Sequence, residues 1–214
     1  MGEMVGSQSQ SSFKIILGSS SIARKKILAE MGYKFEVMTA DIDEKSIRRE
    51  SPEELVTVLA EAKADAIISR LNIKDYKEKD AETTLLITSD IVAVYEGTIR
   101  EKPTSEEEAR QFLRSYSQGH VSTVGSVLVT NLKTGIKHGG IDKAEVYFHD
   151  IPDEIIQNLI DERVVFNVAG GLLLEHPLIL PFVDTLIGAS DSVMGLPKAL
   201  TEKLIQEALS YNAD

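Results

Sequence analysis

The chain is organised around the stretch Lys14-Ile-Ile-Leu-Gly-Ser-Ser-Ser-Ile-Ala-Arg-Lys-Lys-Ile-Leu28. Its apolar start, residues 13–17, predicts a buried strand that ends at Gly18, and a helical pattern follows the three serines. The first N–H groups of a helix have no partner within the helix, and together with the helix dipole they favour an anion. We therefore expect this corner to bind phosphate. An ordinary serine N-cap on a surface helix is the alternative interpretation.

Composition narrows the class of protein. The chain has 214 residues, of which 43% are hydrophobic and 27% charged, and its net charge is −11. These values are typical of a folded domain, and the acidic balance argues against a nucleic-acid partner. The absence of cysteine excludes disulfides, zinc–thiolate sites and cysteine nucleophiles. We expect a disordered N-terminal lead-in over residues 1–12 and a single catalytic domain over 13–210. We also expect no membrane partner, because no apolar run approaches the length of a membrane span. We expect a cytoplasmic location, because residues 1–12 lack the features of a secretory signal.

Hydrophobic periodicity predicts strands alternating with helices, which indicates an α/β fold. The clearest helix start is Ser51-Pro-Glu-Glu54, where a serine N-cap, a proline at the first position and a capping-box glutamate coincide. The predicted strands cover residues 13–17, 33–38, 84–95, 98–100, 120–130, 136–149 and 178–187; the predicted helices cover 22–28, 51–70, 104–116 (capped by Thr104), 152–160 and 195–209; residues 72–82 are predicted to be a loop.

Three places in this pattern need a physical explanation. Asp90 interrupts the apolar strand over 84–95, and a buried carboxylate is costly unless it is paired. It either has a functional role or lies at a bend between two strands. Lys63 falls near the edge of the apolar face of its helix, where it either extends to water or reaches into a cleft. The glycines of Ala169-Gly-Gly171 mark a close approach of the backbone to a ligand or another segment.

Several common motifs are absent. The chain contains neither the P-loop nor the dinucleotide-binding glycine pattern, and Ile22 stands where a nucleophile elbow requires glycine. Asp41-Ile-Asp43 resembles an aspartyl-phosphate phosphatase signature, although Lys45 occupies a position that favours Thr or Val. An aspartyl-phosphate phosphatase that uses Asp41 therefore stays as a weaker alternative. Four histidines lack metal-ligand spacing: His120, His138, His149 and His176.

One constellation of charged residues remains. Cations come from separate segments at Arg24, Lys63 and Lys102, and carboxylates come from separate loops or strands at Glu44 and Asp90. Cations and oriented N–H groups neutralise a polyphosphate, while carboxylates carry Mg²⁺ and activate water. The residue types therefore fit polyphosphate chemistry if the fold brings them together.

The ordered blocks that contain these residues resemble the Maf family of nucleotide pyrophosphatases over residues 13–209. Each block is short, but their order and spacing together are specific. A further segment, Gly119-His120 through Thr123-Val-Gly125, resembles the family's sequence ahead of its β-hairpin. The blocks are Leu17-Gly-Ser-Ser-Ser-Ile-Ala-Arg-Lys-Lys-Ile-Leu28, Asp43-Glu44 with Ser51-Pro-Glu-Glu-Leu-Val-Thr-Val-Leu-Ala-Glu-Ala-Lys-Ala64, Thr88-Ser-Asp-Ile-Val92, Glu101-Lys-Pro103 and Val193-Met-Gly-Leu-Pro197.

The resemblance implies an elongated, two-lobed mixed sheet flanked by helices, with a long β-hairpin arm, which is an ITPase-like architecture. It implies hydrolysis of a nucleoside triphosphate to the monophosphate and pyrophosphate, with Mg²⁺ or Mn²⁺ as cofactor, in a homodimer. It assigns Asp90 as the general base and, with Glu44, as a metal ligand. Arg24 and Lys63 would assist catalysis. The phosphate-binding residues that it implies are Ser19, Ser21, Arg24, Lys63 and Lys102.

Three positions separate the family's branch for dTTP and UTP from its branch for 7-methyl-GTP, and here they are Ala23, Ile91 and Glu175. Glu175 matches the 7-methyl-GTP branch, whereas Ala23 and Ile91 match neither branch. A carboxylate accepts hydrogen bonds from the donor edge of guanine, so we favour 7-methyl-GTP over dTTP or UTP. A non-catalytic, nucleotide-responsive role in cell division is the alternative function.

Overall fold

The protein is described by a computed structural model that covers residues 12–210. Except for Ser12, the predicted lead-in lies outside these residues. One mixed sheet has the strand order β2-β1-β3-β5-β6-β7, and β4 pairs with β3 beside that path. The mixed α/β class is confirmed. The strands are β1 (Phe13–Leu17), β2 (Glu36–Val37), β3 (Thr83–Tyr95), β4 (Thr98–Arg100), β5 (His120–Asn131), β6 (Lys137–Phe148) and β7 (Val183–Ile187).

The sheet has a parallel part and an antiparallel part. β1 runs parallel to both β2 and β3, whereas β3, β5, β6 and β7 pair antiparallel in turn. The predicted hairpin is present as β5 and β6. Both of its strands lie inside the sheet, because β5 pairs with β3 from Leu85↔Asn131 to Val94↔Ser122 and β6 pairs with β7. The hairpin therefore extends the same sheet that contains the serine corner.

Helices cover both faces of the sheet. On one face α2 buries Leu59 and Ala64 against β3 and β5. On the other face α1 and α7 bury Leu28 and Ile205 against Ile87 and its neighbours. Within residues 12–210, no helix combines the length and apolar character that crossing a membrane requires. The helices are α1 (Ile22–Glu30), α2 (Pro52–Ile68), α3 (Ile73–Lys77), α4 (Glu106–Tyr116), α5 (Asp153–Asp161), α6 (Ser190–Val193) and α7 (Lys198–Ser210).

Some predicted elements differ from the structure. The loop predicted over 72–82 contains α3, and the strand predicted over 178–187 begins as a 3-10 turn, Leu180–Phe182. The N-cap of α4 is Ser105 rather than Thr104, since the Ser105 hydroxyl accepts from the Glu108 N–H at 3.1 Å. Thr104 instead donates both its N–H and its hydroxyl to the Glu108 carboxylate. Elements this short contain too few residues to show a hydrophobic period, so periodicity did not reveal them.

One edge of β3 is open in its middle. β1 pairs with β3 over Thr83–Ile87, and β4 pairs with it over Ala93–Tyr95. β5 occupies the opposite side of β3 along this length, so β1 and β4 share one side. The segment Thr88–Val92 between them has no strand partner on that side. Asp90 lies at the centre of this open segment, and the strand runs through it without the bend that was the alternative interpretation.

Candidate active site

The serine corner lies where β1 ends beside β3. The Gly18 N–H donates to the Ile87 carbonyl at 2.8 Å. A Cβ at Gly18 would lie 2.6 Å from Thr88 Cγ2, so this turn accommodates only glycine without a shift. Ser21 caps α1 by accepting from the Arg24 N–H at 3.3 Å, and Ser19 accepts from the Ser21 N–H at 3.1 Å. The sequence thus builds a compact turn that aims the start of α1 at the open edge of β3.

The Arg24 side chain is buried and held from two sides. Its Nε donates to the Gly195 carbonyl at 3.0 Å, and its Nη1 donates to the Ser19 hydroxyl at 3.4 Å. Burial lowers the pKa of the Arg24 guanidinium, while the negative charges of Asp90 and Glu44 act in the opposite direction. Arg24 is therefore a fixed cation whose charge is matched by nearby carboxylates.

Lys63 joins the two candidate carboxylates. Its ammonium lies 2.5 Å from Asp90 Oδ1 and 3.0 Å from Glu44 Oε1. Lys63 and Asp90 are each only 8% exposed, so the interpretation of Lys63 as a residue that extends to water is wrong. A buried pair of this kind is tolerated because each charge neutralises the other.

The two carboxylates have different acidities. Burial raises the pKa of Asp90 above its usual range, although Lys63 and Arg24 partly oppose this. Burial also acts to raise the pKa of Glu44, but there Lys63, Lys102 and Arg24 outweigh it, so that the Glu44 pKa is lowered. One carboxylate is thus a stronger base than usual, and the other stays ionised more readily. Opposed environments of this kind separate the roles of paired carboxylates in enzyme sites.

The position of Lys63 follows from how α2 is fastened to the sheet. The Thr88 hydroxyl donates to the Ala60 carbonyl at 2.8 Å, and the Ser126 hydroxyl donates to the Val56 carbonyl at 2.6 Å. Thr88 and Asp90 point to the same face of β3 because side chains alternate along a strand. The helix turn after Ala60 therefore carries Lys63 over Asp90.

Lys102 lies in the exposed loop after β4. Its charge reaches the site, since it contributes to lowering the pKa of Glu44. Arg48 is a nearby cation that the sequence did not indicate; its Nη2 lies 3.7 Å from the Glu101 carboxylate and its Nη1 donates to the Ile47 carbonyl at 2.8 Å. The Arg48–Glu101 ion pair links the loop of Glu44 to the loop of Lys102.

The three candidate specificity residues are distributed around α1. Ala23 is half-buried in the first turn of α1. Ile91 is close to Arg24, because a Cβ at Gly195 would lie 3.4 Å from Ile91 Cγ2 and 3.2 Å from Arg24 Nε. Glu175 is exposed and forms an ion pair with Lys26 of α1 at 3.9 Å. Ile91 is thus brought beside the charged cluster, whereas Glu175 approaches the outer surface of the same helix.

Known proteins resemble this chain over most of its length. The sequence model of the family described as Maf-like protein matches residues 14–208. The chain belongs to this family. It is 42% identical over 193 residues to a protein of Dictyostelium discoideum named 7-methyl-GTP pyrophosphatase, covering 90% of this chain and 96% of the relative.

More distant Maf-like relatives carry two different names. A protein of Idiomarina loihiensis, also named 7-methyl-GTP pyrophosphatase, is 32% identical, with 86% of this chain and 88% of the relative covered. A protein of Thermotoga maritima, named dTTP/UTP pyrophosphatase, is 29% identical, with 91% and 89% covered. The family resemblance expected from the ordered blocks is confirmed. The relatives' names include both base preferences that were considered.

The Maf-like site offers limited coordination for a metal. Among residues 12–210, no three or more His, Asp or Glu side chains are grouped as metal ligands. Glu44 and Asp90 do converge on one ammonium, and Mg²⁺ sites at phosphates commonly use one or two carboxylates, with phosphate oxygens and water completing the shell. The residues therefore fit a divalent cation whose remaining ligands would be phosphate oxygens and water.

Sequence reasoning assigned no role to Gly195, although the block Val193-Met-Gly-Leu-Pro197 contains it. The φ of Gly195 is +96°, and its carbonyl accepts from Arg24. The Asp191 carbonyl accepts from the N–H groups of Gly195 and Leu196 at 3.1 Å, which forms the turn. Glycine adopts this positive φ without strain, but only the fold reveals which side chain its carbonyl meets.

Proposed function

We propose that the chain is a nucleotide pyrophosphatase that hydrolyses a nucleoside triphosphate to the monophosphate and pyrophosphate. The observation that carries the proposal is the cluster of Arg24, Lys63, Glu44 and Asp90 at the open segment of β3. Such a cluster can bind a chain of phosphates and activate a water beside it. The names of its Maf-like relatives support the same reaction.

Asp90 acts as the general base. A water oxygen attacks the α-phosphorus while one water proton passes to Asp90, and the bond from the α-phosphorus to the bridging oxygen of the β-phosphate breaks. Pyrophosphate leaves with the electrons of that bond. The raised pKa of Asp90 makes the carboxylate a better proton acceptor, and Lys63 and Arg24 keep it in the ionised form that accepts the proton.

The remaining residues bind the phosphates. Ser19 and Ser21 supply hydroxyl and backbone donors at the start of α1, and Arg24, Lys63 and Lys102 supply positive charge. Mg²⁺ or Mn²⁺, held by Glu44 and Asp90, would supply further positive charge for the phosphates. Placing fixed cations where negative charge develops lowers the barrier without reorganisation during the reaction.

We favour 7-methyl-GTP as the substrate over dTTP or UTP. The relative of Dictyostelium discoideum at 42% identity carries that name. The Glu175 carboxylate would accept hydrogen bonds from N1–H and N2–H₂ of the guanine ring. Ala23 leaves space in the first turn of α1, and Ile91 offers an apolar contact beside Arg24.

The proposal extends to organisation and location. Residues 13–210 form one catalytic domain of two lobes with the site in the cleft between them, and two copies associate as a homodimer in the cytoplasm. Exposed apolar side chains at one edge of the sheet, such as Leu180 and Ile187, support contact with a second copy. The net charge of −11 supports the absence of a nucleic-acid partner. Light scattering coupled to size exclusion measures the mass of the assembly.

A nucleotide panel with separate detection of pyrophosphate and orthophosphate tests the proposed reaction. We expect pyrophosphate release that requires Mg²⁺ or Mn²⁺ and is fastest with 7-methyl-GTP. Orthophosphate release that is lost in Asp41→Asn would instead identify the aspartyl-phosphate phosphatase. Nucleotide-induced thermal stabilisation without any hydrolysis would identify the non-catalytic regulator. Equal rates with 7-methyl-GTP and UTP would refute the base preference but not the reaction.

A further inference from the structure

The turn Ala169–Gly171 includes one position, Gly170, that only glycine can fill. Gly170 has a φ of +61°, and a Cβ there would lie 2.5 Å from Ala93 Cβ and 2.7 Å from the Tyr116 hydroxyl oxygen. This is the close backbone approach that the paired glycines predicted. The partner is another part of the same chain, namely β3, α4 and the loop after β4.

Hydrogen bonds fix the turn to that loop. The Gly170 N–H donates to the Glu101 carbonyl at 2.9 Å, and the Tyr116 hydroxyl donates to the Gly170 carbonyl at 2.9 Å. Tyr116 is fully buried. Next along the turn, a Cβ at Gly171 would lie 3.9 Å from Pro103 Cγ, so the turn also packs against Pro103. The residues before and after Lys102 are thus both held by the turn.

Arg100, two residues before Lys102, is held by the same group of side chains. Its guanidinium carbon lies 4.2 Å from the ring centroid of Tyr95, 4.5 Å from that of Phe112 and 5.1 Å from that of Tyr116. Its Nη1 also donates to the Ser115 hydroxyl at 2.7 Å. Cation–π contacts with three rings and a hydrogen bond restrict Arg100 strongly. The backbone from Arg100 to Pro103 is therefore fixed on both sides of an exposed lysine.

We propose that Tyr116 and Gly170 are positioning residues that hold the Lys102 ammonium at the rim of the site for a triphosphate. This inference rests on the proposed function, in which Lys102 binds phosphate. A lysine side chain loses freedom when it binds a ligand, and a backbone that is already fixed reduces the remaining cost. Tyr116 acts on Lys102 through two routes: its hydroxyl donates to the Gly170 carbonyl of the turn, and its ring lies 5.1 Å from the guanidinium carbon of Arg100.

A double-mutant cycle separates positioning from general stability. The four proteins are wild type, Tyr116→Phe, Lys102→Ala and the double variant, each measured for kcat and KM with the best nucleotide and for the Kd of inorganic triphosphate by calorimetry. We expect Tyr116→Phe to raise KM and Kd by about three- to tenfold, with a smaller change in kcat, as losing one hydrogen bond implies. In the Lys102→Ala background, the same substitution should change KM and Kd less than about twofold.

Two further variants sharpen the comparison. Tyr147→Phe removes another tyrosine hydroxyl, which donates to Glu145 at 2.9 Å on β6, and should leave KM and Kd unchanged. If Tyr116→Phe does not fold, Ser115→Ala replaces it in the cycle, because it removes the partner of Arg100 without changing the aromatic packing.

Each outcome of the cycle has a definite meaning. An equal loss in both backgrounds, or a Lys102→Ala variant that binds inorganic triphosphate like wild type, overturns the positioning role. A wild-type protein that releases no pyrophosphate refutes the proposed function alone, and the Kd cycle then decides the positioning role. A cycle that is non-additive in Kd supports it in either case.

Discussion

Asp90 is subject to two opposed influences that together suit a proton acceptor. Burial disfavours its negative charge, and the ammonium of Lys63 at 2.5 Å favours it. Without Lys63 and Arg24, a carboxylate in this strand would bind a proton and could no longer accept one. Without burial, it would be an ordinary and weakly basic surface aspartate. The basicity of Asp90 thus depends on residues from three separate segments of the chain.

Replacing Asp90 by asparagine should remove the base and keep the shape of the side chain. We expect Asp90→Asn to lower kcat for pyrophosphate release by several hundredfold or more, the usual effect of losing a positioned base. Initial rates with the preferred nucleotide measure this. Asp65→Asn is the matched control, because Asp65 also pairs with a lysine, Lys137 at 2.6 Å, but on the surface. A rate for Asp90→Asn within tenfold of wild type would remove Asp90 from the base role.

The Lys63–Asp90 pair should also be visible in stability. Lys63→Met leaves a buried carboxylate without its closest cation, so we expect the free energy of unfolding in urea to fall by about 3 kcal/mol. In an Asp90→Asn background the same change should cost about 1 kcal/mol, because a neutral amide needs no counter-charge. Lys137→Met breaks an exposed pair and should cost less than about 1 kcal/mol. Equal costs of Lys63→Met in both backgrounds would show that the pair is not coupled.

The sequence indicated these residues but not their contacts. Asp90 stood out because a carboxylate in an apolar strand requires a partner, and the family blocks contained Lys63 and Arg24. That Lys63 bridges Asp90 and Glu44, or that the Gly195 carbonyl holds Arg24, depends on how α2 and the turn before α7 pack on the sheet. Contacts between residues so distant in sequence have no local pattern from which they can be read.

At the scale of elements, the turn between β1 and α1 determines which part of β3 is exposed at the candidate site. β1 stops at Leu17 while β3 continues to Tyr95, and the turn at Gly18 exposes the middle of β3. The strand, the turn and the helix were predicted by the switch from an apolar run to helical spacing. The open edge of β3 was not predicted, because it arises from where β1 and β4 end relative to each other.

Gly18 is the residue on which this corner depends. A Cβ there would lie 2.6 Å from Thr88 Cγ2 and 2.8 Å from Ile67 Cδ1, so these two side chains must shift. We expect Gly18→Ala to lower the free energy of unfolding by about 1–3 kcal/mol, measured in urea. Gly119→Ala is the matched control, because its Cβ would meet no atom closer than 3.6 Å. It should change the free energy of unfolding by less than about 0.5 kcal/mol. A Gly18→Ala variant as stable as wild type would show that the corner accommodates a methyl group at this position without a loss of stability.

At the scale of the whole molecule, the C-terminal helix closes the fold over the N-terminal strands. α7 packs on β5 and β6, and its Ile205 and Leu204 share a core with Ile15 and Leu17 of β1. The α/β class and the order of the longer elements followed from periodicity. The position of α7 on the same face as α1 was not predictable in this way. The pattern of an amphipathic helix shows which of its faces is buried, but not which elements pack against that face.

The packing of α7 can be tested through the pH dependence of stability, because α7 carries Glu202, the hydrogen-bond partner of Tyr33. The Tyr33 hydroxyl donates to Glu202 of α7 at 2.7 Å, and burial together with that carboxylate raises the pKa of Tyr33 to about 12. In the unfolded chain the same phenol titrates near its ordinary pKa of 10.0. The unfolded state therefore loses this proton first as pH rises, and the contribution of Tyr33 to stability is present below about pH 10 and is lost by about pH 12.

Tyr33→Phe removes this titration and should flatten the pH dependence. We expect the difference in free energy of unfolding between wild type and Tyr33→Phe to shrink steadily between about pH 10 and pH 12, measured by urea denaturation at several pH values. Tyr147→Phe is the comparison variant, because the hydrogen bond to Glu145 also raises the pKa of Tyr147 but lies within one strand and involves no contact with α7. A difference that stays constant across this range would show that Tyr33 titrates alike in both states, and hence that α7 does not enclose it in solution.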